Sequence, residues 1–247
     1  MRVAVAGGTG VVGRYVVRAL ADRGHETVTM SRSTGVDVYT GDGLDRALTG
    51  VDAVIDVASV QTMRRKVAVD FFGTTTANLL RAEREADVGH HVLLSIVGID
   101  DMPSGYYAGK VAQETLVTAG EVPWSIVRAT QFHEFLAQLL RRARVGPVAL
   151  IPRLKVETVA AREVAEVLVD LVEAGPSGRT PDLGGPQVAR LDQLAKTYLR
   201  TTGQRTPLVG VPMPGRFGAL VTGPGSRHGR ITFDEWLLGD GRDVFGG

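Results

Sequence analysis

One short stretch near the start of the chain limits its fold more than any other. Residues 7–13 read Gly-Gly-Thr-Gly-Val-Val-Gly. They lie between an apolar, β-branched run at 3–6 and a segment over 11–23 in which Val12, Val16, Val17 and Leu20 recur on one helical face. Gly24 follows at a helix-stop position. A strand that turns through glycines straight into a helix opens a βαβ unit. Gly7, Gly10 and Gly13 are spaced G-x-x-G-x-x-G. Without β-carbons there, the backbone can approach a pyrophosphate, whose charge is favoured by the aligned amides of the helix N-terminus. Gly13 lets the helix pack closely on the strand. Strand before, helix after and N-terminal position together predict a dinucleotide site.

The alternation continues beyond the loop. Strands are expected over 27–30, 36–39, 53–57, 92–96 and 124–127, and helices over 44–48, 65–86 and 110–119. Strands separated by helices of this length imply a parallel sheet with helices on both faces. The second half changes character. Helices are expected over 132–144, 163–173 and 191–202, between glycine- and proline-rich loops such as 175–178 and 212–215. The fold class is therefore α/β: a Rossmann-type doubly wound parallel sheet with a small C-terminal substrate-binding lobe. One nucleotide-binding domain is expected over 1–247, with its core at about 1–130 and the lobe at about 131–247, whose own core is too thin to stand alone.

The second strand decides between dinucleotides. An acid at its end would hold the ribose hydroxyls of NAD. Residues 29–33 here read Thr-Met-Ser-Arg-Ser, with no acid, and Arg32 can pair with a 2′-phosphate in bidentate fashion. NADP(H) is accordingly expected over NAD(H).

Lysine occurs only at positions 66, 110, 155 and 196, so each carries weight. Lys110 stands four residues after Tyr106, which puts both on one helical face. An ammonium beside a phenol lowers the phenol's pKa and suits it to proton transfer near neutrality. Tyr107 is a rival for the same role. Gln131, Phe132 and His133 follow the 124–127 strand. In a doubly wound sheet ligands collect outside the carboxyl ends of the strands, so these three are expected to meet substrate.

Composition removes other classes. Basic and acidic residues number 28 and 27, a net charge of +1 that offers nothing to nucleic acid or an anionic membrane. No apolar run approaches the length of about 18 residues that a membrane span needs. The first residues break into glycines too early for a signal peptide. Cysteine is absent, which excludes disulfides, thiolate metal sites and cysteine nucleophiles, and fits a cytoplasmic location. Five histidines without H-x-x-x-H spacing make no metal site. The basic runs Arg64-Arg65-Lys66 and Arg141, Arg142 and Arg144 are expected as solvated helix faces. A small molecule is the expected partner, and the oligomeric state is open.

The glycine loop, Asp42, Val57-Ala58-Ser59, Leu94-Ser95, Tyr106 with Lys110, and residues 124–128 (Trp-Ser-Ile-Val-Arg) together resemble the short-chain dehydrogenase/reductase superfamily. Within it the chain is most similar to the atypical and extended branches, and to NmrA-like NAD(P)-binding proteins above all. The resemblance implies that Thr9, Gly10, Val11 and Val12 contact the pyrophosphate, and that Arg32, with Ser31, meets the 2′-phosphate. It implies that Asp42 approaches the adenine edge and that Ala58 and Ser59 run beside the cofactor. Lys110 would bond the nicotinamide ribose and Tyr106 would be the acid or base. The family's usual serine falls where Ile96 and Val97 stand, with Ser95 slightly earlier.

The function implied is an NADPH-dependent reductase acting on a carbonyl, quinone or activated double bond of a small apolar substrate. Phe217, Leu220, Val221, Phe233 and Trp236 supply apolar material for a pocket lid. A non-catalytic NADP-binding redox sensor is the alternative, and a nucleotide-sugar epimerase-like enzyme ranks third.

Overall fold

The apolar run at the N-terminus becomes the middle of a parallel sheet. The computed structural model describes residues 1–101, 105–212 and 221–239. In chain order the elements begin with β1 (Arg2–Ala6), α1 (Val11–Asp22), β2 (Glu26–Met30), α2 (Leu44–Leu48), β3 (Ala53–Asp56), α3 (Arg65–Glu85), β4 (His90–Ile96), α4 (Tyr106–Ala119) and β5 (Trp124–Ala129). They continue with α5 (Phe135–Arg142), β6 (Arg144–Val145), β7 (Val148–Pro152), β8 (Lys155–Val156), α6 (Ala161–Ala174), β9 (Gly178–Arg179) and β10 (Leu183–Gly184). Last come β11 (Ala189–Arg190), α7 (Leu191–Thr201), β12 (Leu208–Val211), β13 (Arg227–His228) and α8 (Phe233–Leu238). Two compact units emerge: Met1–Arg128 with Val164–Pro181, and Ala129–Glu163 with Asp182–Gly247. The stretch Val164–Pro181, expected in the C-terminal lobe, thus clusters with the first unit.

In the first unit the strands lie in the order β5-β4-β3-β1-β2, with β9 beside β5. The pairing is parallel: Ala4 stands opposite Val28 on one side and Val54 on the other, and Val54 opposite His91. Side chains alternate between faces. Ala4, Ala6, Met30 and Val54 therefore share one face, where they pack with Leu44 and Leu48 of α2 and Leu79 and Ala82 of α3. Farther along, Leu93 and Ile126 pack with Val117 of α4 and Leu80 of α3. Arg23, after α1, is bound by Asp170 and Glu173 of α6 at 2.8 and 2.9 Å. The chain runs from β1 outward to β2, then crosses to β3 on the other side. That reversal is where ligands bind in open α/β sheets.

The strand expected over 36–39 does not form. Gly35, Gly41 and Gly43 all adopt left-handed φ, and the segment closes as a turn with Gly41 N–H donating to Asp37 O at 2.8 Å. The carbonyls of Val38 and Tyr39 accept from the Asn78 side chain of α3 at 3.2 and 2.8 Å, so they are not available to a strand.

The second unit holds a three-stranded sheet in which β7 pairs parallel with β12 and antiparallel with β6. β8 and β11 form an antiparallel pair, and β10 pairs with β13 and with Ala129. The helix expected from 132 starts later, at Phe135. Phe132 instead forms a parallel bridge with Val159, with Val159 N–H donating to Gln131 O and His133 N–H to Val159 O, both at 3.0 Å. α8 begins with a capping box between Thr232 and Glu235. Phe217 and Leu220 lie outside the described residues, as does most of the loop expected over 212–215. Among the described residues no helix is long and apolar enough to cross a membrane, and no three His, Asp or Glu side chains converge as metal ligands.

Candidate functional site

The glycine loop leaves β1 at Gly7, whose N–H donates to Met30 O of β2 at 3.0 Å. Gly7 has φ +79°, and a β-carbon there would lie 2.9 Å from the backbone of Ala58. The loop is thus wedged between the ends of β2 and β3. Gly13 is required by packing: its β-carbon would stand 2.2 Å from Gly7 O. Gly10 differs from both. It is the exposed N-cap residue of α1, with φ −75° and ψ −179°, a conformation open to any residue. The first helical donor is Arg14 N–H, to Gly10 O at 3.1 Å, and no side chain caps the helix. The N–H groups of Val11, Val12 and Gly13 are therefore left for another acceptor. Thr9 is exposed beside them, and α1 carries no acid in its first turn. Free amides, no side-chain cap and no opposing carboxylate fit the pyrophosphate of a dinucleotide.

Ser31 and Arg32 follow directly on β2, next to the loop. Ser31 caps a turn of 3₁₀ helix over Arg32–Thr34, closed by Gly35 at φ +78°. Thr34 Oγ1 pins that turn to β2 through Thr29 O at 2.8 Å. The Arg32 side chain is exposed and has no ion pair among the described residues. Asp42 is partly committed elsewhere, since its carboxylate accepts from the Thr40 hydroxyl at 2.8 Å.

On the β3 side, Val57 N–H donates to Ala6 O, and Ala58 N–H to the Asp56 carboxylate at 2.9 Å. Ala58 is buried and Ser59 exposed. The Ser59 hydroxyl lies 2.8 Å from the Tyr106 hydroxyl at the first position of α4. The Tyr106 ring meets Phe72 edge-to-face at 5.3 Å, and Tyr107 adjoins it at 6.3 Å.

Lys110 does not meet Tyr106 as their spacing predicts. Its ammonium is buried in the core, donating to Leu94 O at 2.8 Å and to the Gln113 side-chain oxygen, 4.8 Å over the face of Phe72. Gln113 in turn donates to Asp56 at 2.7 Å. Burial pulls the Lys110 pKa down to about 8, with Asp56 and Glu114 opposing. The Tyr106 phenol is held above its ordinary pKa by burial, which the Ser59 hydrogen bond partly offsets. The lysine-lowered phenol expected from the sequence is thus replaced by one whose hydroxyl partner is Ser59. Ser95 is buried within β4 at 1% exposure, and the apolar Ile96 and Val97 follow it. The pairing of Ser59 with Tyr106 had no sequence signal, because 47 residues separate them.

Nearby, Arg128 at the end of β5 donates to Glu114 at 2.9 and 2.8 Å and also binds both oxygens of Asp100. It fastens the loop after β4 to α4.

In the second unit, Gln131 and Phe132 line a small depression of about 40 Å³, with Phe135, Leu136, Val156, Thr158, Leu191, Leu194 and Phe233. The lining is mostly apolar. Gln131 Oε1 is buried there and unpaired among the described residues. His133 is placed otherwise. It is 1% exposed, against Phe233 and Trp236, and both ring nitrogens are engaged. Nε2 lies 3.1 Å from Ile231 O, so it carries the proton, and Nδ1 accepts from the Thr158 hydroxyl at 2.8 Å. Burial lowers its pKa to about 4 and keeps the ring neutral. No ring nitrogen is left for a substrate carbonyl.

The chain is similar to several known proteins. The family described as NAD(P)H-binding matches residues 7–174. The (4-alkanoyl-5-oxo-2,5-dihydrofuran-3-yl)methyl phosphate reductase of Streptomyces griseus is 31% identical over 229 residues, covering 85% of this chain and 75% of its own. The ceramide reductase of Caulobacter vibrioides is 29% identical over 257 residues, covering 89% of this chain and 77% of its own. A short-chain dehydrogenase/reductase superfamily protein from Agrobacterium tumefaciens, solved with bound NAD, superposes with a TM-score of 0.72 at 22% identity, over 99% of this chain and 97% of that one. The chain belongs to the NAD(P)H-binding family.

Proposed function

We propose that the protein is an NADPH-dependent reductase of a carbonyl, quinone or activated double bond in a small, largely apolar substrate. The NAD(P)H-binding family and two relatives named as reductases support an oxidoreductase. The preference for NADPH is supported by one observation: beside the glycine loop stands an exposed Arg32 with no ion pair among the described residues, and no acid occurs from Thr29 to Ser33. Gly10, Val11 and Val12 would hold the pyrophosphate on the open end of α1, with Gly7 and Gly13 keeping the loop close. Ser31 and Arg32 would hold the 2′-phosphate, Asp42 the adenine edge, and Ala58 and Ser59 the inner side.

When bound, the nicotinamide supplies the hydride. Tyr106 supplies the proton to the substrate oxygen, and its raised pKa keeps the phenol protonated until that moment. Lys110, through Gln113 and Asp56, fixes the backbone that carries Ser59. Gln131 and Phe132 would be substrate contacts, with the buried Gln131 Oε1 able to accept from a hydroxyl or amide. The names of the two relatives, one with an alkanoyl group and one with ceramide, support an apolar chain on that substrate. His133 would support the pocket wall without touching substrate.

The test is oxidation of NADPH with a panel of alkyl ketones, enones and quinones, repeated with Tyr106→Phe and Tyr107→Phe. Tyr106→Phe should lower turnover by about 10²–10⁴, the range for a lost general acid, and leave NADPH affinity intact. Tyr107→Phe should keep its rate; the reverse pattern would move the role to Tyr107. The other reading, a non-catalytic NADP-binding redox sensor, is favoured by the commitment of Lys110 to Leu94 and Gln113. It predicts tight NADPH binding with no turnover on the whole panel.

A further inference from the structure

We propose that Ser59 is a positioning residue for Tyr106, orienting its hydroxyl and returning a proton to it from solvent. The proposal rests on the reductase reading above. Three observations carry it. The two hydroxyls are 2.8 Å apart, while the position after Ser95 on β4 offers only Ile96 and Val97. Tyr106 is half-buried and Ser59 exposed, so Ser59 is the partner that faces water. The Lys110 ammonium, the usual alternative source of a proton, is committed to Leu94 O and Gln113 at 4% exposure.

The segment that holds Ser59 is itself fixed. Ala58 N–H is tied to Asp56, and Asp56 to Gln113, so the Ser59 backbone starts from a buried anchor. A hydroxyl on such a segment can select one phenol rotamer, and that selection orders the proton toward a reacting oxygen.

The proton account balances. Hydride from NADPH forms the new C–H bond, and the carbonyl π electrons move to oxygen. The Tyr106 O–H bond breaks and its proton joins that oxygen. In one concerted relay the phenolate takes the Ser59 hydroxyl proton as Ser59 takes a proton from water, which is left as hydroxide and neutralised by the solvent buffer. The sum is one hydride and one proton added to the carbonyl, with NADP⁺ released and both side chains restored.

The test compares the unmodified protein with Ser59→Ala, Ser59→Thr and Tyr106→Phe in two measurements. The first is ultraviolet titration of the phenols, with the Tyr106 component isolated by subtracting Tyr106→Phe. Loss of a hydrogen bond that favours the phenolate should move that component to higher pH in Ser59→Ala and return it in Ser59→Thr. The second is the rate of menadione reduction by NADPH against pH. Ser59→Ala should lower kcat by about 10- to 100-fold, the equivalent of one strong hydrogen bond, with the rate recovered in Ser59→Thr. An unmoved Tyr106 component in Ser59→Ala overturns the pairing. A moved component with unchanged kcat overturns the relay. Absence of menadione reduction by the unmodified protein counts against the reductase reading, and the titration then still decides the pairing.

Discussion

Gln113 donates its amide N–H to the Asp56 carboxylate at 2.7 Å, while its oxygen receives the Lys110 ammonium. All three side chains are buried. A neutral amide therefore separates a buried cation from a buried anion and satisfies both. Replacing it with an apolar side chain of similar volume would leave two charged groups short of a partner. Gln113→Leu should destabilise the protein by about 1–3 kcal/mol, read from the urea midpoint. Gln113→Glu should place a carboxylate against Asp56 and be worse. Unchanged midpoints in both variants would show that the network contributes nothing.

Arg32 should govern cofactor choice. Its guanidinium is free to make a charge-assisted contact to a 2′-phosphate, and NAD has no such group. Arg32→Ala should weaken NADPH binding by roughly 1.5–3 kcal/mol and leave NADH binding nearly as it was. Equal losses in a fluorescence titration would remove Arg32 from the phosphate site.

Two glycines of the same loop should fail differently. At Gly13 a β-carbon would lie 2.2 Å from Gly7 O and 2.6 Å from Gly8 Cα, so α1 must move to admit it. Gly13→Ala should cost about 1–3 kcal/mol of stability, as overpacking does. At Gly10 a β-carbon meets only Gly7 O at 3.1 Å, and the residue is exposed. Gly10→Val should remain folded and lose any thermal stabilisation by NADPH, because its methyls would occupy the space proposed for the pyrophosphate. A Gly10→Val protein still stabilised by NADPH would place the cofactor elsewhere.

Acid should weaken the fold through His133. Its folded pKa of about 4 lies below the ordinary 6.5, so the unfolded chain takes up the proton first as pH falls. The stabilising contribution of the neutral ring is complete above about pH 6.5 and is lost as pH falls toward 4, amounting to roughly 3 kcal/mol. His90, also lowered to about 4 by burial, acts in the same direction. His91 acts oppositely. Burial lowers its pKa, but Glu83 at 2.9 Å outweighs this and raises it, so its contribution is present below about pH 6.5 and is lost as pH rises through its folded value. Melting temperature against pH should fall between 6.5 and 4, and His133→Gln should flatten that fall. An equally steep fall in the variant would clear His133 of the effect.

The sequence revealed the elements whose pattern is local. Residues 44–48 form the expected helix, and the glycine loop, the strand before it and the helix after it stand where their spacing put them. The strand expected over 36–39 failed for a reason that lies outside it, since Asn78 of α3 takes its carbonyls. Strands of two residues such as β8 and β11 carry no periodicity to read. At the site, spacing put Tyr106 and Lys110 on one helix, which begins at Tyr106, but could not show where a long side chain ends. Lys110 turns inward because Leu94 O and Gln113 lie there, and both are brought by the fold. His133 was read as a ligand from its place after β5, whereas Thr158 and Ile231, distant in sequence, occupy both its nitrogens.

The return of Val164–Pro181 to the first unit gives the order of synthesis a structural meaning. When residue 128 leaves the ribosome, β5 still lacks its neighbour β9, which pairs Ser125 with Gly178. Arg23 must likewise wait for Asp170, 147 residues later. The nascent first unit therefore carries an open strand edge for as long as residues 129–163 take to emerge, and closes only on contacts of long sequence separation. Such closures are slow, and an uncovered edge is a template for pairing with other chains. The interval before residue 181 is when this protein is most exposed to aggregation, and when a chaperone that shields strand edges would matter most to its yield.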